Sequence, residues 1–263
     1  AFAYLIIDSD RKYFFFFFDK KRTSSTKWIN AIGQYMPIVE WLRGHTALKK
    51  HVVKPMLTNS EMYTCEDEEA VYVLSAFIDG YTIGSSPLKL GQVNEIAKIL
   101  GTLHRSTEDL PAHLMKQLPR ENFDIGFCRS LYKFIKNDLV SKHDAVLRIV
   151  KPFAGYLLDN IKRMKYLAET LKKKPKHYVL CHGDLHYWNI IQSKHIKLID
   201  WECANLAPPE QDLILHIAGQ NAELFLSVYR KYITSYELDL DALEFYFLKR
   251  RLENVWEWIQ DLR

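Results

Sequence analysis

The amino-acid sequence predicts an α+β fold, with a small antiparallel sheet in an N-terminal lobe and a larger, mainly helical C-terminal lobe. Short runs rich in β-branched and aromatic residues are concentrated in the first 78 of the 263 residues. Apolar residues at helical spacing dominate the remainder of the chain. The pattern changes at Asp79-Gly80. We therefore expect one lobe at residues 1–79 and the other at residues 80–263.

The N-terminal lobe has four runs with the composition of strands, at residues 1–7, 13–18, 51–57 and 71–78. Asp8-Ser9-Asp10 supplies turn residues between the first two runs. One helix interrupts the predicted sheet, because apolar residues recur at helical spacing from Trp28 to Leu42. Gly44 is the expected stop of that helix.

The C-terminal lobe is predicted to be mostly helical. One apolar stripe runs from Val93 to Leu103 and a second from Leu157 to Leu171. A short β island breaks the helical pattern, with strand-like runs at residues 178–181 and 196–199 on either side of a polar loop. Loops between short strands often carry chemistry, so this loop is the first candidate for a functional site.

Composition and charge exclude several classes of protein. Lys and Arg number 36 against 32 Asp and Glu, and the resulting charge of +4 is spread along the chain, which gives no support to nucleic-acid binding. No apolar run approaches the roughly 18 residues of a membrane-spanning helix. Four cysteines without a Cys-x-x-Cys pair fit a reducing compartment, so we expect a cytoplasmic protein without a secretory signal. The sequence leaves the oligomeric state open.

The polar loop contains the residues Cys-His-Gly-Asp-Leu-His-Tyr-Trp-Asn at 181–189, and Asp200 follows the next strand. Phosphoryl transfer requires one carboxylate near the acceptor hydroxyl and two oxygen ligands that hold Mg²⁺ against the phosphates. Asp184, Asn189 and Asp200 supply such a set. Their spacing matches the catalytic loop and metal-binding Asp of protein kinases, except that Gly183 stands where those enzymes have Arg.

Other interpretations of this loop compete with the kinase interpretation. An isolated Asp-x-x-x-x-Asn would indicate a capped turn, but the flanking strands and Asp200 favour the catalytic one. Cys181, His182 and His186 are also potential metal ligands. A hydrolytic zinc helix, however, has Glu at the place of Gly183 and a helical setting, so zinc is disfavoured.

His-Gly-Asp-Leu-His-x-x-Asn followed by Ile-Asp-Trp-Glu resembles the aminoglycoside phosphotransferase and choline kinase superfamily, which has a bilobal protein-kinase-like fold. The resemblance covers residues 70–215. Residues 73–80 resemble the hinge strand, Leu-Gly-Thr-Leu-His at 100–104 a conserved helix, and residues 207–213 the segment after the metal-binding Asp. In detail the sequence is most similar to the spectinomycin phosphotransferase branch.

The resemblance implies roles for individual residues in the loop and the hinge. Asp184 would be the catalytic base, and Asn189 and Asp200 would bind Mg²⁺. Ala76 and Ile78 would offer backbone groups to the purine of ATP or GTP, and Ser75 would be the gatekeeper beside it.

Three further residues have supporting roles in the same comparison. His182 would brace the catalytic loop. His186 is expected to orient the loop rather than take part in chemistry. Asp212 is expected to stabilise the loop rather than to bind metal.

A cationic acceptor needs carboxylates close to the catalytic loop. Glu202 lies two residues after Asp200 and is the first candidate. Glu253 and Glu257 are four residues apart and share one helix face, with tryptophans between and beside them. For this C-terminal pair, a solvated charged face is an equally good interpretation.

Parts expected from the resemblance are missing. The first glycine is Gly33, so no Gly-rich loop is found, and Phe16 occupies the register of the lysine that should contact the phosphates. Lys12 and Lys20 lie on either side. The helix glutamate that should pair with the lysine is also missing, since its place falls nearer Gln34 than Glu40.

The sequence thus predicts an ATP-dependent O-phosphotransferase for a small hydroxylated, cationic molecule, such as an aminoglycoside or spectinomycin. A pseudokinase or nucleotide-binding module without efficient transfer is the alternative that Phe16 favours. A metabolic kinase for choline, homoserine or a methylthio-sugar is a third interpretation.

Overall fold

The computed structural model describes residues 2–84, 86–137, 145–175 and 177–262. These residues form a small antiparallel sheet and a mainly helical remainder, which confirms the α+β fold class. The chain divides into two compact units, Ala1–Arg120 with Tyr178–Tyr236, and Glu121–His177 with Glu237–Arg263. This division differs from a boundary at residues 79 and 80, and the two predicted lobes stay a prediction. Over the described ranges, no helix combines the length and the apolar composition that crossing a membrane requires.

The first unit contains all the strands among the described residues. They are β1 (Phe2–Asp8), β2 (Arg11–Asp19), β3 (Cys65–Glu66), β4 (Ala70–Ala76), β5 (Tyr81–Thr82), β6 (Val179–Cys181), β7 (Ile190–Gln192), β8 (Ile196–Leu198) and β9 (Asn205–Ala207). Its helices are α1 (Thr23–His45), α2 (Leu90–Arg105), α3 (Ala112–Met115), α7 (Glu210–Leu213) and α8 (Ala222–Tyr229).

The main sheet has the strand order β1-β2-β4-β3, and every neighbouring pair is antiparallel. The run predicted at residues 1–7 forms β1, although Ala1 itself lies outside the described residues. Ser9, with φ at 53°, begins the tight turn from β1 into β2. Side chains alternate along a strand, so Phe14, Phe16 and Phe18 share one face of β2.

The opposite face of β2 carries Phe15 and Phe17, and both side chains are half-buried. The Phe15 ring stacks on Tyr72 of β4 at 5.6 Å, and the Phe17 ring lies 5.9 Å from Phe2 of β1. Cross-strand aromatic pairs therefore cover the outer face of the strand.

The prediction of a strand at residues 51–57 is wrong. This segment forms only isolated bridges, at Val52 and at Pro55, which lies opposite Ser75. Proline has no backbone N–H to donate to a ladder, so the hydrogen bonds come from its neighbours: Lys54 accepts from Ala76 and Met56 donates to Leu74.

The predicted helix at Trp28 to Leu42 is confirmed within α1, which continues one residue past Gly44. Its apolar side chains pack under the sheet, where Ile32 and Met36 join Phe18, Val71 and Val73 in one buried cluster. The two strands of the β island also exist, as β6 and β8. They pair with β9 and β7 rather than with each other.

The second unit is helical, with α4 (Gly126–Asn137), α5 (Ala145–Val150), α6 (Ala154–Lys173) and α9 (Leu240–Asp261). The stripe predicted from Leu157 to Leu171 is the buried face of α6, which packs against α9. Arg163 of α6 forms a two-pronged ion pair with Glu244 of α9.

Gly101 allows α2 to pack closely against the segment that follows α8. A Cβ atom at Gly101 would lie 2.7 Å from the Cβ of Tyr232. We expect Gly101→Ala to lower the free energy of unfolding by roughly 1–3 kcal/mol, because overpacking outweighs the gain of about 1 kcal/mol in helix propensity. Urea denaturation measures the difference.

Gly33→Ala is the matched control, since Gly33 also lies inside a helix but has no atom within 4 Å of an added Cβ. This variant should be as stable as the wild type or slightly more stable. Equal stabilisation by both substitutions would contradict the close packing at Gly101.

Candidate active site

A largely apolar pocket of about 250 Å³ lies in the first unit, beneath the inner face of the main sheet. Phe14, Phe16 and Phe18 of β2 line it together with Val73 and Ser75 of β4. The other lining residues are Trp28, Tyr35, Met36, Val39, Val53, Pro55, Ala76, Phe77, Ile78, Ile191, Ile199, Asp200, Trp201 and Glu202. The pocket therefore brings the predicted hinge together with Asp200 and Glu202.

The hinge residues Ser75, Ala76 and Ile78 all contact this pocket. The Ala76 N–H is already used, because it donates to the Lys54 carbonyl at 3.2 Å. Among the described residues, none accepts the N–H of Ile78. The hinge thus retains a backbone donor beside the pocket.

The loop at 182–189 is held in shape by its own hydrogen bonds. The side-chain amide of Asn189 donates to the Asp184 carbonyl at 2.9 Å, which turns the amide oxygen of Asn189 in the opposite direction. The Asn189 backbone N–H donates to the His186 carbonyl. The imidazole Nε2 of His186 lies 3.6 Å from the Asp184 carboxylate, which places this histidine next to the predicted base.

Asp200 is tied to the loop through its neighbour Ile199. The Ile199 N–H donates to the Asn189 carbonyl at 3.1 Å, and the Ile199 carbonyl accepts a hydrogen bond of 2.8 Å from Nε2 of buried His182. His182 thus braces the loop against the strand that leads to Asp200. Asp200 itself has φ at 61° and ψ at 65°, a left-handed conformation that few residues other than glycine adopt.

Gly183 is required by its backbone rather than by chemistry. Its φ is +86°, and a Cβ atom at this position would collide with the carbonyl oxygen of Cys203. The segment after Asp200 thus approaches the loop too closely for a side chain at residue 183. This contact explains the departure from the Arg of protein kinases.

Asp212 anchors the start of the loop. Its two carboxylate oxygens accept hydrogen bonds from the backbone N–H groups of His182, at 2.7 Å, and Gly183, at 2.9 Å. Burial alone would raise the pKa of this carboxyl, but the hydrogen bond and charge of His104 and the backbone donors outweigh burial and lower it. Asp212 is thus an ionised, fully buried support for the loop.

The group of His104, Cys181 and Asp212 has ligand-type atoms within 4.8 Å of one another. Hydrogen bonds account for their positions. His104 contacts Asp212 through Nε2 at 3.3 Å and the Tyr229 hydroxyl through Nδ1 at 2.7 Å. Cys181 faces the carbonyls of Ala207 and Pro208. The group is a buried hydrogen-bond network behind the loop.

Asp200 and Glu202 line the pocket, and the negative charge of Asp184 acts on both of them. Burial, together with the negative charge of Asp184, raises the pKa of Asp200. Burial and the charges of Asp200 and Asp184 raise the pKa of Glu202 to about 7. Burial and the carboxylates of Glu202 and Asp200 raise the pKa of Tyr35. Such a concentration of carboxylates suits a divalent cation, for which carboxylate and amide oxygens are suitable ligands.

The lysine expected on β2 is absent from the pocket. Phe16 lines it in the predicted register, whereas Lys12 is paired with Asp79 at 3.2 Å and Lys20 with Glu66 at 2.8 Å. The helix partner is absent too, since Glu40 accepts a hydrogen bond from the Tyr63 hydroxyl and does not line the pocket. Tyr35 of the same helix does line the pocket, a contact that the sequence analysis did not predict.

Glu253 and Glu257 belong to α9 in the second unit. Burial, with the charges of Glu257 and Glu121, raises the pKa of Glu253, although Lys249 acts in the opposite direction. Glu257 is exposed. Their predicted contact with an acceptor stays a prediction.

The site combines Asp184 in a loop, Asp200 after the next strand and a pocket beside the predicted hinge. Together these features indicate a phosphotransferase with a kinase-like fold. Comparison with known proteins agrees. The chain belongs to the phosphotransferase enzyme family, which it matches over residues 3–248. The resemblance found in the sequence is thus confirmed.

Three known proteins illustrate the similarity. Protein StrN of Streptomyces griseus is 27% identical over 153 residues, which are 53% of this chain and 46% of StrN, so the match spans about half of that relative. The crystal structure of spectinomycin phosphotransferase APH(9)-Ia with ADP and spectinomycin has a TM-score of 0.72 at 22% identity, over 100% of this chain and 79% of that one. Choline kinase LicA from Streptococcus pneumoniae has a TM-score of 0.62 at 20% identity, over 98% and 82%.

Glu202 gives a testable pH dependence. Its pKa of about 7 in the fold exceeds the ordinary value of 4.5, so its contribution to stability is full below pH 4.5 and is lost as the pH rises through 7. We expect Glu202→Gln to remove this loss. Relative to the variant, the wild type should lose up to about 1 kcal/mol of unfolding free energy per pH unit within that window.

Urea denaturation of both proteins from pH 5 to pH 8, in the presence of a chelator, measures this difference. A stability difference that is the same at both ends of the range would show that Glu202 ionises normally.

Proposed function

We propose that this chain transfers a phosphoryl group from ATP to a hydroxyl of a small, cationic amino alcohol. The observation that carries the proposal is the position of the loop: the Asn189 amide hydrogen-bonds to Asp184, and Asn189 and His182 both bond to the residue before Asp200. These hydrogen bonds thus connect Asp184, Asn189 and Asp200, the three groups that phosphoryl transfer needs.

The nucleotide part of the proposal rests on the pocket. Ile78 offers an N–H to the purine edge, and the rings of Phe14 and Phe77 belong to the same apolar lining. Ser75 is small at the gatekeeper position, which leaves room beside the base. ATP and GTP both fit this description, and ATP is the nucleotide we test first.

The catalytic part of the proposal assigns one task to each polar side chain. Asn189 and Asp200 would hold Mg²⁺, which when bound neutralises charge on the phosphates. Asp184 accepts a hydrogen bond from the acceptor hydroxyl and takes its proton. The hydroxyl oxygen bonds to the terminal phosphorus of ATP as the bond from that phosphorus to the leaving ADP breaks. Because Asp212 holds the preceding amides, Asp184 keeps this position without substrate.

The acceptor is proposed to be cationic because the site is acidic. The negative charge of Asp184 helps to raise the pKa values of Asp200 and Glu202, and Glu202 is the carboxylate we assign to the ammonium group of the acceptor. Spectinomycin and choline, which the two similar structures name, both combine an amine with a hydroxyl. Glu253 and Glu257 of α9 are proposed as further acceptor-binding carboxylates.

A second candidate function is nucleotide binding without efficient transfer. One observation favours it: Phe16 lines the pocket where a phosphate-binding lysine is expected. Turnover separates the two candidates, since both bind nucleotide but only one releases ADP in the presence of an acceptor.

Phosphate transfer from ATP to a panel of aminocyclitols, aminoglycosides, choline and amino sugars tests the proposal. We expect turnover with at least one hydroxylated amine and none with neutral sugars of the same size. Binding of ATP without transfer to any member of the panel would favour the second candidate.

Asp184→Asn tests the role of the proposed base. The substitution preserves size but removes the group that accepts the proton, so we expect kcat to fall by at least 10²-fold while nucleotide affinity changes little. Steady-state kinetics and calorimetric titration with ADP measure the two effects. Retention of wild-type kcat would remove Asp184 from the reaction, and an equal loss of ADP affinity would indicate a disturbed loop.

A further inference from the structure

The proposed nucleotide pocket has no cationic side chain among its lining residues. Its titratable members are Tyr35, Asp200 and Glu202, none of which carries positive charge. A nucleotide brings several negative charges to this place. A phosphate-binding cation must therefore reach the pocket from outside its lining, in addition to any metal ion.

The lysines at the two ends of β2 already have partners. Lys12 pairs with Asp79 and also lies 5.6 Å from the Phe77 ring, at the hinge end of the strand. Lys20 donates to the Asp67 carbonyl at 2.6 Å and pairs with Glu66. Lys21 pairs with Glu69 at 3.2 Å. The last two thus contact the segment between β3 and β4.

Lys27, near the start of α1, is placed differently. Its Nζ lies 4.6 Å from the centroid of the Trp28 ring, and Trp28 lines the pocket. The same helix packs against the 3₁₀ turn Trp201–Cys203, directly after Asp200. The charge of Lys27 reaches the Glu202 carboxyl and acts on its pKa against the effect of burial.

No ion pair holds Lys27 in place. Its side chain is exposed, and it forms none with any residue that the structure describes. A four-carbon stem with an unpaired ammonium group can move several ångströms at little cost. The contact with the Trp28 ring is worth only about 0.5–1 kcal/mol at an exposed site, so a phosphate would displace it.

We propose that Lys27 is the side-chain cation that binds the phosphates of the nucleotide, in place of the lysine that Phe16 replaces. This inference rests on the proposed nucleotide site. Lys27 acts on the phosphates alone, because the purine and ribose lie against the apolar lining and the hinge. Its removal therefore affects nucleotides and spares adenosine.

Calorimetric titration of the full chain with Mg-ADP and with adenosine tests the proposal. Lys27→Met should weaken Mg-ADP binding by roughly 10- to 100-fold, as expected for a charged hydrogen bond, and leave adenosine binding unchanged. Lys21→Met is the matched control, since Lys21 is equally exposed near the same helix but is paired with Glu69. It should bind both ligands as the wild type does.

A second variant keeps the test independent of damage to the fold. Adding Phe16→Lys to Lys27→Met places a cation at the expected strand position and should restore at least 10-fold of the lost Mg-ADP affinity. Wild-type Mg-ADP affinity in Lys27→Met would overturn the role of Lys27 while leaving the proposed function intact. Failure of the wild type to bind either ligand would instead overturn the nucleotide site itself.

Discussion

The position of the loop at residues 182–189 depends on one buried carboxylate, that of Asp212. It accepts hydrogen bonds from the backbone N–H groups of two successive residues, His182 and Gly183, and Nε2 of His104 also contacts it. A buried ionised group without partners would cost several kcal/mol, so the loop and the carboxylate stabilise each other. The positions of Asp184 and Asp200 follow from this attachment. Asp184 is the next residue in the chain, and His182 forms a hydrogen bond with the carbonyl of Ile199, which precedes Asp200.

The pocket shows how the chain accommodates the loss of an expected ion pair. The family resemblance implies a lysine on β2 and a glutamate on α1, near the place of Gln34. In the structure neither charged group lines the pocket, and Phe16 and Tyr35 do. Removing one member of a buried pair leaves an uncompensated charge, whereas replacing both by packed aromatic groups is close to neutral for stability. The absence of both the lysine and the glutamate from the pocket is therefore compatible with a stable fold. A nucleotide bound in this pocket would therefore meet no side-chain cation fixed on the strand.

Much of this architecture could be predicted from the sequence, because the deciding signals are local. Strand-type composition located β1, β2 and β4, and helical periodicity located α1 and α2. The spacing from Asp184 through Asn189 to Asp200 indicated the candidate site. The family resemblance agreed with the match over residues 3–248. Where the prediction failed, at residues 51–57, the composition was strand-like but Pro55 cannot take part in a regular ladder.

Other features depend on contacts that no single sequence displays. The requirement for Gly183 comes from the carbonyl of Cys203, twenty residues away. The pairing of β6 with β9 and of β8 with β7, rather than with each other, depends on where the intervening chain runs. The proximity of Lys27 to Glu202 depends on the packing of α1 against the turn after Asp200, and neither residue type nor spacing indicates it.

The central claim is that the loop anchored by Asp212 presents Asn189 and Asp200 to a single metal ion beside the hinge-lined pocket. A crystal structure of the chain with ADP and Mn²⁺, with the ion located by its anomalous scattering, tests this most directly. We predict one ion with the Asn189 amide oxygen and the Asp200 carboxylate both among its ligands, at distances of roughly 2.0–2.3 Å. An ion bound elsewhere, or side-chain oxygens of the two residues more than about 8 Å apart and so too distant to share one ion, would contradict it.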